Sequence, residues 1–162
     1  LLGVLRMKLV LAADHGGFQL KQHLVSWATS QGYEVVDVGA HELDQSDDYP
    51  GYAVATAQII ATEASEFTQQ TVFGVILCRS AGGVTIAANR FAHVRAVAAT
   101  DTATAMHARV DNAANILTLS GDRLTQQQAI EIVMAFCSTQ FSNAERHVRR
   151  LQQIEAFAHQ QN

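Results

Sequence analysis

The feature that most constrains the fold is an apolar run that ends in a turn of small residues. Residues 72–77, VFGVIL, are almost all apolar and rich in β-branched side chains, which is typical of a strand buried on both faces of a parallel sheet. Residues 80–83 are small, and residues 84–88 have a helical composition. A buried strand that leads through a tight turn into a helix predicts a parallel α/β sheet.

The same alternation of strands and helices continues along the chain. Apolar runs predict further strands at residues 8–12, 34–38, 96–99 and 116–119, and helical spacing predicts helices at 17–30, 52–63, 101–110, from Thr125 onward and from Ser142 to about 159. Thr125 is the expected N-cap of its helix, and Ser142 with Glu145 has the spacing of a capping box. The pattern predicts a doubly wound, Rossmann-like α/β fold, in which a five-stranded parallel sheet has flanking helices and an extra C-terminal helix.

The extra helix has no sixth strand to cover, although it carries an apolar stripe of Leu151, Ile154 and Phe157. We therefore expect the stripe to pack on another surface, such as that of a partner subunit.

Composition limits the classes of protein. A length of 162 residues suits one domain, and a net charge of -4 argues against broad binding to nucleic acid or anionic membranes. The two cysteines, Cys78 and Cys137, do not suggest a disulfide scaffold, so a reducing cytoplasm is the expected compartment. No apolar run is long enough to span a bilayer. Residues 1–6 precede Met7 and are interpreted as an N-terminal extension or a cloning remnant, with one domain over residues 7–162.

Cys78 closes the buried strand at the end where open α/β sheets bind their ligands. The turn after it exposes backbone N–H groups and the start of a helix, which together suit an anion. Two interpretations follow. Cys78 is either a buried residue that fills space, as free cysteines commonly are, or a base beside a site for a negatively charged oxygen.

Other polar residues also fall next to predicted strands and helices. Because the carboxyl ends of parallel strands share one edge of the sheet, we expect most of these residues to converge, with the first and third strands on either side of a topological switch point. The residues are Asp14 and His15 after the first strand, Asp48 and Tyr49 before the second helix, and Asp111, Asn112 and Asn115 before the fifth strand.

The last helix concentrates basic residues. Arg146 and Arg150 are four apart and share one face, and two guanidinium groups on one face suit a phosphate group. The alternative is a solvated basic face paired to acids such as Glu145. His15 is open to three roles, as a phosphate donor, an acid or base, or a capped turn residue.

Other kinds of site fit less well. No Cys/His spacing resembles a zinc site, and Asp14 with His15 offers too few ligands for a metal. Residues 13–17, ADHGG, lack the GxGxxG order of a dinucleotide site, and residues 79–81 do not form a GxSxG nucleophile elbow.

Together these motifs resemble the ribose-5-phosphate isomerase B family, which includes the galactose-6-phosphate isomerase subunits. The resemblance runs from Met7 to about Glu155, in the family's order. The motifs are residues 13–17 (ADHGG), 48–50 (DYP), the Cys78 turn leading to 86–89 (IAAN), and 145–150 (ERHVRR). It implies an aldose–ketose isomerase of a phosphorylated sugar, first of all ribose 5-phosphate and ribulose 5-phosphate, that works without a metal or cofactor through a cis-enediolate.

The resemblance also implies roles for individual residues. Cys78 is the base, helped by the helix N-terminus that stabilises a thiolate; the glutamate that some members use instead has Val84 at its position. Ser80 orients the substrate, the backbone of Arg79, Ala81, Gly82 and Gly83 holds the enediolate oxygen, and Asp14, Tyr49 and Asn112 contact the sugar. The phosphate falls to His15, Arg146 and Arg150, with Arg123 a weaker candidate. The arginine helix is expected to pack on a neighbouring subunit, so that sites are shared in a homodimer or tetramer.

Two positions depart from the family pattern. Family turns read Cys-Gly-Ser/Thr-Gly-x-Gly, whereas residues 78–83 read CRSAGG, which narrows the allowed backbone conformations and adds the charge of Arg79. The family's ring-opening histidine has Asp111 at its position, and either Asp111 or a shifted His107 is expected to replace it.

The departures leave alternatives open. A tetrose 4-phosphate, erythrose or erythrulose, cannot form a furanose because its O4 is esterified, so it needs no ring opening. A hexose 6-phosphate isomerase, a non-catalytic sugar-phosphate-binding subunit and a flavodoxin-like nucleotide binder are further possibilities, although the last would not need the arginine helix.

Overall fold

A computed structural model describes residues 6–64 and 66–159 of the chain. The expected extension over residues 1–6 therefore lies, except for Arg6, outside the described residues. The elements in chain order are β1 (Lys8–Ala13), α1 (Phe18–Ser30), β2 (Glu34–Gly39), α2 (Tyr49–Glu63), β3 (Val72–Cys78), α3 (Gly82–Ala88), β4 (Ala96–Ala98), α4 (Thr102–Asn112), β5 (Ile116–Ser120), α5 (Gln126–Ser138) and α6 (Glu145–His159).

The five strands form one parallel sheet in the order β2-β1-β3-β5-β4. In register, Ala13 lies beside Leu77 and Cys78 beside Ser120. The chain winds outward from β1 in one direction and from β3 in the other, so the switch point lies between these two strands. The predicted doubly wound fold and its switch point are confirmed.

Helices cover both faces of the sheet. One core packs α1, α4 and α5 on Leu11, Leu77 and Leu119, and the other packs α2 and α3 on Val10 and Ile76. The alternation of facing side chains along each strand explains why residues 72–77 are apolar throughout, because both faces of β3 are buried.

Polar side chains fix the positions of several connections. The ammonium group of Lys21 is fully buried and donates to the Asp37 carboxylate at 2.6 and 2.8 Å and to the Ala40 carbonyl at 2.7 Å. This anchors the start of the acidic loop that follows β2. Asn89 similarly accepts from and donates to the backbone of Ala96, at 2.8 Å each, and so holds the start of β4.

One of the two predicted helix caps is present in the structure, and the other is not. Thr125 and Gln128 form a complete capping box at the start of α5, as Thr125's position predicted. The predicted capping box of Ser142 and Glu145 is wrong, because α6 begins only at Glu145. Ser142 instead places its hydroxyl 2.7 Å from Nδ1 of His147 in the first turns of α6, and the same oxygen accepts from the Ala144 N–H at 3.3 Å.

Only part of the apolar stripe on α6 packs within the chain. Leu151 is buried with Ala113 and Phe141, and Glu155 accepts a hydrogen bond from the guanidinium of Arg95 at 3.2 Å. Ile154 and Phe157 remain 56% and 67% exposed. Among the described helices, none is both long and apolar enough to cross a membrane.

Two glycines test the packing of the turns. A Cβ on Gly121 would collide with the carbonyl oxygen of Gly16, whereas nothing lies within 4 Å of one on Gly51 in α2. We expect Gly121→Ala to lower the free energy of unfolding by about 1–3 kcal/mol, because backbone must shift. We expect Gly51→Ala to raise it by about 0.5 kcal/mol. Urea denaturation of both variants measures this, and equal effects would contradict the packing described.

Candidate active site

Three turns pack against one another at the carboxyl edge of the sheet, after β1, β3 and β5. The Gly121 N–H donates to the Cys78 carbonyl at 2.8 Å, and a Cβ on Gly16 would lie 2.8 Å from the Arg79 nitrogen. A Cβ on Gly17 would lie 2.5 Å from that of Leu77. The glycines of residues 13–17 are thus explained by close backbone approach to the Cys78 turn.

The Cys78 turn directs a backbone donor at the thiol. The Ala81 N–H donates to Sγ of Cys78 at 3.1 Å, and Cys78 keeps 5% of its surface exposed. Ala81 is the N-cap of α3, and the first N–H groups of that helix, at Gly82 and Gly83, receive no side-chain cap. These amides are therefore available to an anionic oxygen beside the sulfur.

Ala81 reaches this geometry in a conformation that favours glycine. Its backbone is left-handed, at φ 68° and ψ -19°, as expected for the glycine that the family pattern has there. Arg79 has no positive φ. The conformational cost of a side chain at these two positions therefore falls on Ala81.

Tyr49 lies over the same turn. A Cβ on Gly83 would lie 2.5 Å from Cζ of the Tyr49 ring, so the absence of a side chain at Gly83 makes room for the ring. Asp48 is the extended N-cap that starts α2 at Tyr49. The structure thereby brings a phenol hydroxyl to the helix start beside Cys78.

Asp14 shapes the turn after β1. Its buried Oδ1 accepts from the N–H groups of Gly16 at 2.9 Å and Gly17 at 3.3 Å. Burial raises the pKa of Asp14, and the charge of His15 and the two N–H groups oppose that rise only in part. Asp14 is thus first of all a residue that holds the turn.

Asp47 was not among the predicted site residues, yet it binds His15. Its Oδ1 accepts from the His15 N–H at 2.9 Å and lies 2.7 Å from His15 Nδ1. The hydrogen bond to Asp47 raises the pKa of His15 above its usual value. Burial would raise the pKa of Asp47, but the two hydrogen bonds from His15 help to hold it below its usual value. His15 and Asp47 are 32 residues apart in the sequence, and no local pattern predicts a contact over that separation. The acidic composition of the loop was the one available signal.

The ligand atoms of Asp14, His15 and Asp47 lie within 4.8 Å of one another. They are already engaged, since Asp47 Oδ1 contacts Nδ1 and Asp14 Oδ1 holds two backbone amides. Asp14, His15 and Asp47 therefore form a hydrogen-bonded group, in which these ligand atoms already have partners.

Two arginines flank the turns on the exposed side. Arg79 pairs with Asp122 at 3.6 Å, with both side chains more than half exposed. Arg123 follows in the same turn and is exposed. We call the predicted residues at this edge the thiol half-site; they are Asp14, His15, Tyr49, Cys78, Arg79, Ser80, Ala81, Gly82, Gly83 and Arg123.

The expectation that Asp111 and Asn112 join this edge within one chain is wrong. They end α4 and precede β5, so they lie at the amino edge of the sheet, and β5 alone separates the edges by roughly 13 Å. In a parallel sheet, residues that precede a strand lie at the amino edge, and residues that follow a strand lie at the carboxyl edge. Asn115, just ahead of β5, is fully buried and donates to the carbonyls of Ala64 and His93, which is a structural role.

Asp111 and Asn112 lie instead beside the start of α6. Asp111 Oδ1 is 3.7 Å from Nε2 of His147, its Oδ2 is 3.9 Å from Nδ1 of His107, and Arg146 Nε donates to His147 Nε2 at 3.1 Å. Arg150 follows one helical turn later. Within the described part of the chain, no ion pair involves Arg146 or Arg150. Asp111, Asn112, Arg146 and Arg150 form what we call the arginine half-site.

A cavity of about 530 Å³, lined by Trp27, Tyr33 and Met134 among others, lies apart from both half-sites. The class is nevertheless defined by the fold and the turn: a doubly wound α/β protein with a thiol and free amides at its switch point.

Comparison with known proteins identifies the family. The Ribose/Galactose Isomerase family model matches residues 9–154. The ribose-5-phosphate isomerase B of Mycobacterium tuberculosis (strain CDC 1551 / Oshkosh) is 35% identical over 145 residues, which cover 90% of this chain and 86% of that protein. The chain therefore belongs to the ribose/galactose isomerase family, and the expectation of an isomerase is confirmed.

Solved structures agree. Ribose-5-phosphate isomerase B from Mycoplasma genitalium with bound ribulose-5-phosphate has a TM-score of 0.86 at 30% identity, covering 93% of this chain and 95% of that one. The corresponding protein from Thermotoga maritima has a TM-score of 0.83 at 37% identity, covering 93% and 98%.

The left-handed turn can be tested by substitution. We expect Ala81→Gly to raise the free energy of unfolding by about 1 kcal/mol, because glycine adopts φ 68° without strain. Isomerase activity should persist, since the N–H that faces Cys78 remains. Ala87→Gly, inside α3, is the control and should lose about 1 kcal/mol. Equal losses in both variants would contradict the conformation of Ala81.

Proposed function

We propose that the protein interconverts ribose 5-phosphate and ribulose 5-phosphate, with Cys78 as the base that moves a proton between C1 and C2 through a cis-enediolate. The observation that carries this proposal is the 3.1 Å contact from the Ala81 N–H to the Cys78 sulfur, beside uncapped amides at the start of α3. The relatives named ribose-5-phosphate isomerase B support the pentose as substrate.

The chemistry follows from the thiol half-site. As a thiolate, Cys78 removes the proton from C2 of the open-chain aldose to give the cis-enediolate. The O2 hydroxyl proton passes to O1, and Cys78 returns its proton at C1 to give the ketose. Negative charge develops on the carbonyl oxygen during the removal of the C2 proton. The N–H groups of Gly82 and Gly83 stabilise that charge, a contribution of about 3 kcal/mol for each well-placed donor. Ser80 and Tyr49 orient the sugar hydroxyls.

The phosphate belongs to the arginine half-site in this proposal. Arg146 and Arg150 have no carboxylate partner among the described residues, so their guanidinium groups remain available to a doubly charged ester. The alternative interpretation is a basic face whose arginines pair with carboxylates. Among the described residues, Arg146 and Arg150 form no such pair. Arg123 and Arg79, at the other half-site, are the secondary candidates.

A complete site then requires two chains. The two half-sites lie at opposite edges of one sheet, and the exposed Ile154 and Phe157 give α6 an apolar surface for a neighbour. We propose a homodimer, alone or within a tetramer, in which each Cys78 faces the arginines of the partner. Both cysteines are free, and we propose the reducing cytoplasm as the compartment.

The substrate is tested with a panel of four- to six-carbon aldose phosphates followed by NMR. We expect ribose 5-phosphate to give the highest kcat/KM, because the family relatives act on the pentose. Preference for erythrose 4-phosphate would overturn the pentose assignment and point to a site that opens no ring, consistent with Asp111 in place of histidine. Absence of turnover on every sugar would favour a binding subunit.

Sharing of the site is tested by mixing variants. We expect Cys78→Ala to fold but lose isomerisation, and the double variant Arg146→Ala/Arg150→Ala to lose activity through a raised KM. Refolded together in equal amounts, half of the dimers are mixed and each holds one intact site, so about a quarter of wild-type activity should return.

Mass spectrometry of the native dimers provides the control, because it counts the mixed species. Mixed dimers that form and stay inactive would show that each site lies within one chain. A mixture of wild type with Cys78→Ala sets the scale for dilution alone.

A further inference from the structure

Asp47 holds His15 at two points. One carboxylate oxygen, Oδ1, accepts from the His15 backbone N–H at 2.9 Å and lies 2.7 Å from the ring nitrogen Nδ1. With Nδ1 occupied in this way, Nε2 is the ring nitrogen that remains for another partner. The backbone bond prevents the ring and the carboxylate from drifting apart, so the pair has a defined geometry before any ligand arrives.

The pair lies beside the Cys78 turn. His15 precedes Gly16, and a Cβ on Gly16 would lie 2.8 Å from the backbone nitrogen of Arg79. Arg79 directly follows Cys78. The side chain of His15 keeps 20% of its surface exposed while that of Asp47 keeps 9%, so the imidazole reaches solvent and the carboxylate stands behind it.

The two oxygens of Asp47 have different surroundings. Oδ1 accepts from His15, whereas Oδ2 is buried and makes no hydrogen bond of ordinary length and angle among the described residues. The Tyr52 hydroxyl also acts on the carboxylate and helps to hold the pKa of Asp47 below its usual value. The carboxylate therefore commits its well-formed hydrogen bonds to His15.

The charges around His15 are mostly negative. Asp47 contacts the ring, Asp14 and Asp44 act on it through space, and Arg79 opposes them from the Cys78 turn. The carboxylates favour the protonated ring, and the hydrogen bond to Asp47 is the largest influence that raises the pKa of His15. Asp44 accepts from the Ser46 N–H and hydroxyl and has no such bond to the ring.

We propose that Asp47 is a positioning residue for the isomerase reaction: it holds the His15 ring with Nδ1 toward the carboxylate, so that Nε2–H is the donor offered to a substrate oxygen. The role of His15 in binding substrate rests on the function proposed above. The link from Asp47 to His15 rests on the geometry alone.

The first test reads the ring directly, without substrate. Histidine ¹⁵N–¹H NMR titrations of wild type, Asp47→Asn and Asp44→Asn follow His15, with His15→Gln used for assignment. Asp47→Asn keeps the shape and removes the charge, so we expect the pKa of His15 to fall by about one unit. Asp44→Asn removes the same charge from the same loop, and we expect a clearly smaller shift. Equal shifts, or none in Asp47→Asn, would overturn the proposal whatever the substrate is.

The second test reads the pH dependence of catalysis. The imidazolium is present below its pKa and is lost as pH rises through it, so Asp47→Asn should lose kcat/KM from a lower pH than wild type. The loss should reach about tenfold above the variant's pKa. Activity in acid, where the ring is protonated in both proteins, should be nearly equal.

A double-mutant cycle separates positioning from structure. If Asp47 acts only through His15, then Asp47→Asn has no further effect on kcat/KM in the His15→Gln background. An additional loss in that background would show that Asp47 acts by another route. If no variant and no wild type shows isomerase activity, the proposed function fails while the NMR result still decides the link between Asp47 and His15.

Discussion

The arrangement depends on one backbone donor, the N–H of Ala81 that points at the sulfur of Cys78. It points there because Ala81 is left-handed, which ends the turn and starts α3 in one residue. The Cys78 turn is itself held by the neighbouring turns after β1 and β5. These approach so closely that Gly16 and Gly121 have no room for a Cβ. Sulfur, amides and sugar-facing side chains are thus placed by rigid backbone contacts, which favours a preorganised anion site.

Parallel topology imposes the second constraint. Every residue after a strand and every residue before one fall on opposite edges of the sheet, and no side chain spans the distance between them. The thiol half-site is acidic around His15, whereas the arginine half-site carries unpaired guanidinium groups. Surfaces of opposite charge attract, so the proposed pairing of one chain's thiol edge with another's arginine helix is electrostatically complementary.

Much of this architecture could be predicted from local pattern. The apolar periodicity placed the five strands, the switch point and the Cys78 turn, because burial on two faces leaves a strong signal in a short segment. Contacts between distant loops leave none, so Asp47 and the buried Lys21 were missed. The start of α6 was placed too early because Ser142 and Glu145 have the residue types and spacing of a capping box, although the Ser142 hydroxyl contacts His147 instead. Asp111 was assigned to the wrong edge, although the sequence already places it before β5 and a residue that precedes a parallel strand lies at the amino edge of the sheet.

The two departures from the family pattern have different consequences. Ala81 takes a left-handed conformation and Arg79 has no positive φ, so we expect these two residues to alter stability and charge more than chemistry. Asp111 changes the chemistry available, because a carboxylate 3.7 Å from His147 and 3.9 Å from His107 is not an imidazole. Opening a furanose requires a group that exchanges a proton with the ring oxygen and with O1. The imidazoles of His147 and His107 both lie within 4 Å of the Asp111 carboxylate. In the shared site proposed above, the His15 ring of the other chain is a further candidate for that task.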